Sequence, residues 1–237
     1  MIVFLDFDGV LHPEPCADDE LFCHLPSIEE VLREFPHVLV VISSAWRLAY
    51  RHRPISRLRK YFSQDIARRI VGMTPDYRRA DEAMAPRGLG LFLRQWECIG
   101  WFRPHRPPGI PWIAIDDRDY LFQPCCSNLI LCDSAIGFTA AHAGELRARL
   151  GKASLRDQVH RLVQESGRPA GFDANAWLKS WLEQPLPALG GAMPGVWLDK
   201  PQGQAMMSSI LARMQSGAYG KQPGPPDETL YLVRPAP

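Results

Sequence analysis

The sequence predicts an α/β fold, in which a parallel sheet carries helices on both faces, followed by a smaller all-helical domain. Short apolar runs without alternation occur at residues 2–5, 38–42 and 112–115. Strands of a parallel sheet are buried on both faces and typically show such runs. After Lys152 the apolar residues recur at helical spacing instead. We therefore expect an α/β domain over residues 1–152 and a helical domain over residues 153–237.

Two aspartates, Asp6 and Asp8, follow the first apolar run, and Gly9 comes directly after them. Carboxylates so close disfavour each other's ionisation unless a cation or a reacting group lies between them. A divalent metal would relieve this repulsion. The alternative is a turn that only solvates the end of a strand, and the preceding apolar run makes it the weaker one. His12 follows nearby and could reach a substrate, but a surface position is the stronger expectation.

Residues 6–11, Asp-Phe-Asp-Gly-Val-Leu, resemble motif I of the haloacid dehalogenase-like (HAD) phosphohydrolases. The resemblance implies a Rossmann-like parallel sheet. It also implies that Asp6 is the nucleophile and that Asp8 serves as a general acid and base. The other motifs of that family are then expected in order along the chain.

The second apolar run ends in two hydroxyls, Ser43 and Ser44, which could donate to a phosphoryl oxygen. Ser43 stands directly after the run and Ser44 is its close competitor. Capping of a helix that begins near Trp46 is the alternative for these hydroxyls. Residues 43–47, Ser-Ser-x-Trp-Arg, resemble a HAD subgroup found in proteins associated with RNA repair. We therefore include Arg47 among the candidate phosphate-binding residues.

The third apolar run ends in Asp116 and Asp117, which resemble the Asp-Asp version of HAD motif IV. Together with Asp6 and Asp8 they would form an oxygen-only site that suits magnesium. The resemblance implies ligation through the Asp6 carboxylate, the Asp8 backbone carbonyl and Asp116. Magnesium is therefore the expected cofactor.

HAD motif III supplies a cation that holds the phosphate beside the nucleophile. No lysine lies between Lys60 and Lys152, so an arginine must serve. We choose Arg87, which opens an amphipathic stretch. Arg94 is the alternative, and because it falls deeper in that helix we expect it at the surface.

The stretch from Arg47 to Arg69 carries eight basic residues against one acid, Asp65. Near an active site this charge would attract a polyanion, and interleaved aromatics such as Tyr61 could stack on bases. A solvated helix face is an equal alternative. Nucleotides or nucleic-acid ends are thus favoured slightly over other phosphate esters. Residues 12–27 are too few for a folded cap domain, which leaves the site open to bulky substrates.

Composition points to a soluble protein, with 237 residues and a net charge of +1. No apolar run approaches the roughly 20 residues that cross a bilayer, and the N-terminal residues do not resemble a signal peptide. We therefore expect a cytoplasmic protein without a membrane partner. The six cysteines form no C-x-x-C pair, which favours reduced thiols over a zinc site.

Three apolar stripes at helical spacing follow, at residues 155–163, 177–182 and 207–214. Leu189-Gly190-Gly191 predicts a tight turn, and Pro194 fits the first turn of a helix. The pattern Leu-Gly-Gly-x-x-Pro, with Trp-Leu upstream, resembles the toxin-binding domain of Xre/MbcA/ParS-type antitoxins. The resemblance implies a partner protein, most often a RES-type toxin, and a homodimer. A three-helix spacer is the alternative.

Two hypotheses about function follow. The first is a magnesium-dependent phosphohydrolase that cleaves phosphomonoesters through an aspartyl phosphate and carries a partner-binding module. The alternative is an antitoxin-like protein that binds and neutralises a RES-type toxin, with a structural or vestigial HAD domain. The acids, hydroxyls and arginine found together favour the enzyme.

Overall fold

The computed structural model describes residues 1–49, 54–77, 92–105, 110–167 and 171–215. The chain divides into two compact units, Met1–Ala143 and Gly144–Pro237. Within the described ranges, no helix combines the length and the apolar character needed to cross a membrane.

The first unit is built on a five-stranded sheet. Its elements are β1 (Ile2–Leu5), α1 (Leu25–Glu34), β2 (Leu39–Ile42), α2 (Pro54–Leu58), α3 (Gln64–Ala67), β3 (Ile70–Met73), α4 (Leu93–His105), β4 (Trp112–Asp116), β5 (Leu129–Leu131) and the beginning of α5 (Ala140–Glu165). The strand order is β3-β2-β1-β4-β5, and every neighbouring pair is parallel. The predicted α/β class is confirmed. The short strands β3 and β5 were not among the predicted elements.

Strand β1 lies at the centre of the sheet, and its register fixes where the polar side chains emerge. Leu5 is aligned with Ile42 of β2 on one side and with Ile115 of β4 on the other. The residues that follow these positions are Asp6, Ser43 and Asp116. Because the strands are parallel, these side chains leave the sheet at the same edge.

Helix α4 is held against the sheet by aromatic packing. Phe4 of β1 is fully buried, and its ring makes edge-to-face contacts with Trp101 and Phe102 of α4, at centroid distances of 6.1 and 5.7 Å. Such pairs contribute roughly 0.5–1.5 kcal/mol each beyond their area burial. This packing fixes the helix whose first turn carries Arg94.

Helix α5 is one continuous element over Ala140–Glu165 and runs past residue 152, where the sequence suggested a domain boundary. Glycine has a low helix propensity, but Gly151 is followed by Leu155, Val159 and Val163, whose spacing of four residues gives a buried stripe. The apolar packing outweighs the propensity. The compact units divide after residue 143, whereas the sequence suggested a division after residue 152; that domain boundary stays a prediction.

The second unit continues with α6 (Ala174–Glu183) and α7 (Gly203–Gln215), as the apolar stripes predict. Leu155, Leu178, Trp181, Met207 and Leu211 are among the residues of its buried core. Between α6 and α7, two short 3₁₀ helices, Pro187–Leu189 and Pro194–Trp197, flank a turn. Gly190 and Gly191 have φ of +65° and +86°, values that favour glycine. The predicted tight turn is therefore present.

Gly203→Ala is expected to lower the free energy of unfolding by roughly 2 kcal/mol, as overpacking does. A Cβ at residue 203 would lie 1.7 Å from the Trp197 carbonyl oxygen, so the backbone must move. Urea unfolding followed by circular dichroism measures the change.

Gly144→Ala is the matched control, because its Cβ would meet Asp199 only at an ordinary 3.7 Å. Alanine in a helix is more favourable than glycine by about 0.5–1 kcal/mol, so this variant should be slightly stabilised. Equal stability of both variants would contradict the close packing at Gly203.

Candidate active site

Arg94 joins two acids from neighbouring strands. Asp6 follows β1 and Asp116 ends β4, and both are buried. One terminal nitrogen of Arg94 donates to Asp6 Oδ2 at 2.9 Å and to Asp116 Oδ2 at 2.7 Å. Charge-assisted hydrogen bonds of this kind are about twice as strong as neutral ones. The guanidinium is thus the counter-ion of this edge of the sheet.

The expectation that Arg94 lies at the surface is wrong, since only 6% of the residue is exposed. It stands in the first turn of α4, and the packing of that helix brings this turn over the strand ends. Although burial lowers the pKa of a guanidinium, the charges of Asp6 and Asp116 outweigh this effect and raise the pKa of Arg94. Arg87, chosen for this position from the sequence, lies outside the described residues.

Arg47 is buried and bound within the fold, while phosphate binding by this residue stays a prediction. It is 5% exposed, and its side chain donates to the carbonyls of Ser43, Ser44, Thr74 and Pro75 at 2.7–3.2 Å. A fifth bond, of 2.7 Å, goes to the Glu97 carboxylate. The guanidinium therefore ties the end of β2 to the chain beyond β3 and to α4.

Glu97 is a buried acid that the sequence analysis missed. Its carboxylate accepts a hydrogen bond from Arg47 and lies 3.6 Å from Arg94 Nε, one helical turn away. It is only 2% exposed, and a buried charge needs partners of opposite charge. Arg47 and Arg94 are these partners. Its only signal in the sequence is the spacing of three residues from Arg94, which many helical pairs share.

Asp8 is oriented by two nitrogens. Trp46 Nε1 donates to Asp8 Oδ1 at 2.7 Å, and His12 Nε2 lies 3.2 Å from the same oxygen. The side chain of Asp8 is 29% exposed, which leaves it within reach of solvent. His12 was expected at the surface but is only 2% exposed. For Trp46, the resemblance of Ser-Ser-x-Trp-Arg to a HAD subgroup was the only feature of the sequence that indicated a role at the site.

The two serines at the end of β2 are both buried but differ in their contacts. Ser44 Oγ accepts a hydrogen bond from Trp46 N at 3.3 Å and caps a 3₁₀ helix, Ala45–Leu48. Ser44 thus takes the capping role that the sequence offered as the alternative to phosphate binding. Ser43 donates its backbone N–H to Leu5 O at 3.0 Å, which sets it beside β1. Phosphate binding by Ser43 or Ser44 stays a prediction, with Ser43 the stronger candidate.

Three carboxylates meet closely enough to share a cation. Ligand oxygens of Asp6, Asp116 and Asp117 lie within 4.8 Å of one another. Asp117 Oδ1 is buried without a hydrogen-bond partner among the described residues, and Arg118 Nε lies 3.8 Å from it. A buried carboxylate oxygen that lacks a donor and belongs to an all-oxygen set fits a magnesium ligand. The side chain of Asp8 is not part of this group. Binding of the metal by the backbone carbonyl of Asp8 stays a prediction.

Burial raises the pKa values of two acids in this group. Burial, followed by the charge of Asp6, raises the pKa of Asp117 to about 6. Burial also raises the pKa of Asp116 to about 8, against the opposing effect of Arg94. Gly9 makes the close approach possible, because a Cβ there would lie 2.5 Å from Asp117 Oδ2.

Several members of the basic stretch are used within the fold. Arg59 donates to the Ile70 carbonyl, and Arg69 donates to the carbonyls of Leu32, Phe35 and Val38. Arg51 and Arg53 lie outside the described residues. Part of the positive charge of this stretch is therefore used inside the fold, and attraction of a polyanion by the stretch stays a prediction.

Comparison with known proteins gives two matches. A family described as the HAD domain in Swiss Army Knife RNA repair proteins matches residues 2–143. A protein of Sphingobium sp. (strain YBL2), described as a Prs ADP-ribosylating antitoxin, is 56% identical over 70 residues in the C-terminal part. That match covers 30% of this chain and 44% of the length of the relative.

Asp117→Asn is expected to stabilise the protein at pH 8 in buffer with chelator, by on the order of 1 kcal/mol after allowance for solvent screening. Folding raises the pKa of this carboxyl from the ordinary 3.8 to about 6, so its ionised form opposes folding. The gain should be absent below about pH 4, grow up to about pH 6 and stay constant above it. Thermal unfolding across this pH range measures it.

Magnesium gives the same variant a second test. If Asp117 is a ligand, added magnesium should raise the melting temperature of the wild-type chain and affect the variant much less. Asp157→Asn, at an exposed position of α5, is the control and should respond like wild type. A variant that is no more stable at pH 8 and responds equally to magnesium would contradict this assignment.

Proposed function

The chain belongs, through residues 2–143, to the family of HAD domains in Swiss Army Knife RNA repair proteins, and on this premise we propose that it is a magnesium-dependent phosphohydrolase. The observation that carries the proposal is the buried arrangement of Arg94 with Asp6 and Asp116 at the carboxyl edge of the sheet. Asp8, two residues after Asp6 in the chain, has a partly exposed carboxylate. Together these groups supply a nucleophile, its cation and an acid.

In the first step, a carboxylate oxygen of Asp6 attacks the phosphorus of a phosphomonoester. A bond forms between Asp6 and phosphorus while the ester bond breaks, and Asp8 gives its proton to the departing oxygen. The backbone N–H of Phe7 donates to Asp6 Oδ1 at 2.8 Å and Arg94 donates to Oδ2. These two donors hold the nucleophile in one orientation, which supports the attack.

In the second step, Asp8 takes a proton from a water molecule, which attacks the phosphorus of the aspartyl phosphate. The bond between Asp6 and phosphorus breaks, phosphate leaves and the Asp6 carboxylate is restored. Arg94 stays within hydrogen-bond reach of Asp6 and can donate to the transferring oxygens. Ser43 is proposed as a further phosphate donor.

Asp6, Asp116 and Asp117 would hold the magnesium ion, with the backbone carbonyl of Asp8 as a proposed additional ligand. When bound, magnesium would offset the charge that collects on the phosphoryl oxygens. The unpartnered Asp117 oxygen supports this assignment, and so does the chemistry of the ligand set, which contains only oxygen.

The proposed substrates are phosphate esters of nucleotides or of nucleic-acid ends. The description of the family, which names RNA repair proteins, supports this class. Trp46 donates to Asp8, and its ring lies 5.8 Å from that of Tyr61, which is 40% exposed. A partly exposed aromatic cluster that includes a hydrogen-bond donor to the acid suits a nucleobase.

Asp6→Asn is expected to lower phosphomonoester hydrolysis at least about a thousandfold, because removal of a nucleophile stops the first step. Asp19→Asn, at an exposed position of the same unit, is the matched control and should keep full activity. The measurement is phosphate release in magnesium, with circular dichroism to verify folding. Undiminished turnover of Asp6→Asn would rule out its role as nucleophile.

A screen of small phosphomonoesters against RNA and DNA with 3′- or 5′-terminal phosphates would test the substrate class. We expect larger kcat/KM values for the nucleic-acid ends. Preference for small esters that lack a base would contradict this part of the proposal.

A second proposed function is binding of a toxin by the helical unit. Toxin binding would then either accompany the phosphohydrolase activity or be the main function of the chain. It is supported by the 56% identity to the Sphingobium protein described as an antitoxin. The proposed partner is a RES-type toxin, and a homodimer formed by the same unit is proposed as well. Met193 and Val196, which are 44% and 47% exposed, are candidate contacts.

A RES-type toxin from the same genome, expressed alone, should inhibit growth of the host. Co-expression of the full chain is expected to restore growth, and the two proteins should copurify. Val196→Asp should weaken both effects, because it places a charge on an exposed apolar position, whereas Asn175→Asp, at an exposed position of α6, should have little effect. Protection by Asp6→Asn equal to wild type would separate this function from hydrolysis. Failure of the wild-type chain to protect or to bind would overturn the toxin partner.

A further inference from the structure

The carboxylate of Asp8 is held at one of its two oxygens. Among the described residues, two side chains contact this carboxylate, and both contact Oδ1: Trp46 Nε1 at 2.7 Å and His12 Nε2 at 3.2 Å. A carboxylate oxygen that accepts two N–H donors has its lone pairs engaged. The two oxygens of Asp8 are therefore not equivalent.

The second nitrogen of His12 decides which way the histidine bond runs. The backbone N–H of Phe22 donates to His12 Nδ1 at 3.4 Å, so Nδ1 must be an acceptor. In a neutral imidazole the hydrogen is then on the other nitrogen. His12 Nε2 thus donates to Asp8, in the same direction as the indole N–H of Trp46.

Packing keeps these two donors in place. His12 is 2% exposed, and its ring contacts those of Phe22 and Trp46 at centroid distances of 5.4 and 6.1 Å. Phe22 has φ of +64°, a conformation that costs a non-glycine residue of order 1–3 kcal/mol. The segment before α1 is joined to the first loop by His24 N, which donates to Leu11 O at 2.9 Å. Donors supported in this way are pre-organised.

We propose that His12 and Trp46 are positioning residues, which fix Asp8 through Oδ1 so that Oδ2 faces the substrate. This rests on the proposed phosphohydrolase function. As the bond between Asp6 and phosphorus forms and the ester bond breaks, the proton of Asp8 Oδ2 passes to the ester oxygen. In the second step the same oxygen accepts the proton of the attacking water. Neither His12 nor Trp46 contacts the reacting atoms.

Leaving groups separate this role from a structural one. An alkyl phosphate needs a proton on its departing oxygen, whereas p-nitrophenyl phosphate releases a stable anion without one. His12→Leu and Trp46→Phe each remove one donor to Asp8. We expect kcat/KM for the alkyl ester to fall about tenfold in each variant, the effect of one hydrogen bond to a charged group, and kcat/KM for p-nitrophenyl phosphate to change less than about threefold.

Two further variants complete the experiment. His12→Gln keeps an N–H donor near the Nε2 position and should restore part of the activity towards the alkyl ester. Phe62→Leu removes a buried ring that packs on Phe7 in the same aromatic cluster without touching Asp8. Any loss in this control should be equal for both esters. Folding of all variants is verified by circular dichroism.

The protonated nitrogen of His12 provides a readout that is independent of turnover. Long-range ¹H–¹⁵N correlation spectra of the wild-type chain, assigned by comparison with His12→Gln, should place the proton on Nε2. A proton on Nδ1 would overturn the positioning role even in an active enzyme.

The outcomes distinguish the positioning role from the proposed function. If the wild-type chain hydrolyses both esters but His12→Leu and Trp46→Phe lose both equally, or lose neither, the positioning role fails and the phosphohydrolase remains. If the wild-type chain hydrolyses no better than Asp6→Asn, the proposed function fails and the positioning role fails with it.

Discussion

The constraint on which this site depends is the gathering of carboxylates at one edge of a parallel sheet. Strand register brings Asp6 and Asp116 together, and Asp117 follows at once. Buried carboxylates repel one another and lose hydration, so they need a cation. Arg94 supplies one from α4. The position of that helix, fixed by aromatic packing on β1, is therefore as important to the site as the strands themselves.

The segment Ser-Ser-x-Trp-Arg contributes mainly by holding other groups. Ser44 caps the turn, Trp46 donates to Asp8, and Arg47 binds Glu97, which in turn lies beside Arg94. A pattern that resembles a phosphate-binding motif thus supplies support for both proposed catalytic acids. Its arginine donates to carbonyls and to a carboxylate, so its charge helps to hold the fold together.

Local patterns were sufficient to predict β1, β2, β4 and the polar side chains at their ends, because a buried run that ends in carboxylates or hydroxyls is visible within a few residues. Burial of His12, Arg47 and Arg94 was not predictable in this way. Arg47 meets Glu97 across 50 positions and Arg94 meets Asp6 across 88, and such partners depend on how α4 packs. The continuity of α5 through Gly151 likewise follows from tertiary packing that overrides propensity.

Gly9 has a consequence for comparing relatives of this protein. Its φ is +66°, and a Cβ there would press on the Asp117 carboxylate. A relative with any larger residue at this position must displace that acid, even if all its aspartates are retained. The residue at this one position therefore offers a simple criterion, readable from an alignment, for sorting relatives that can keep the full acidic group from those that have lost it.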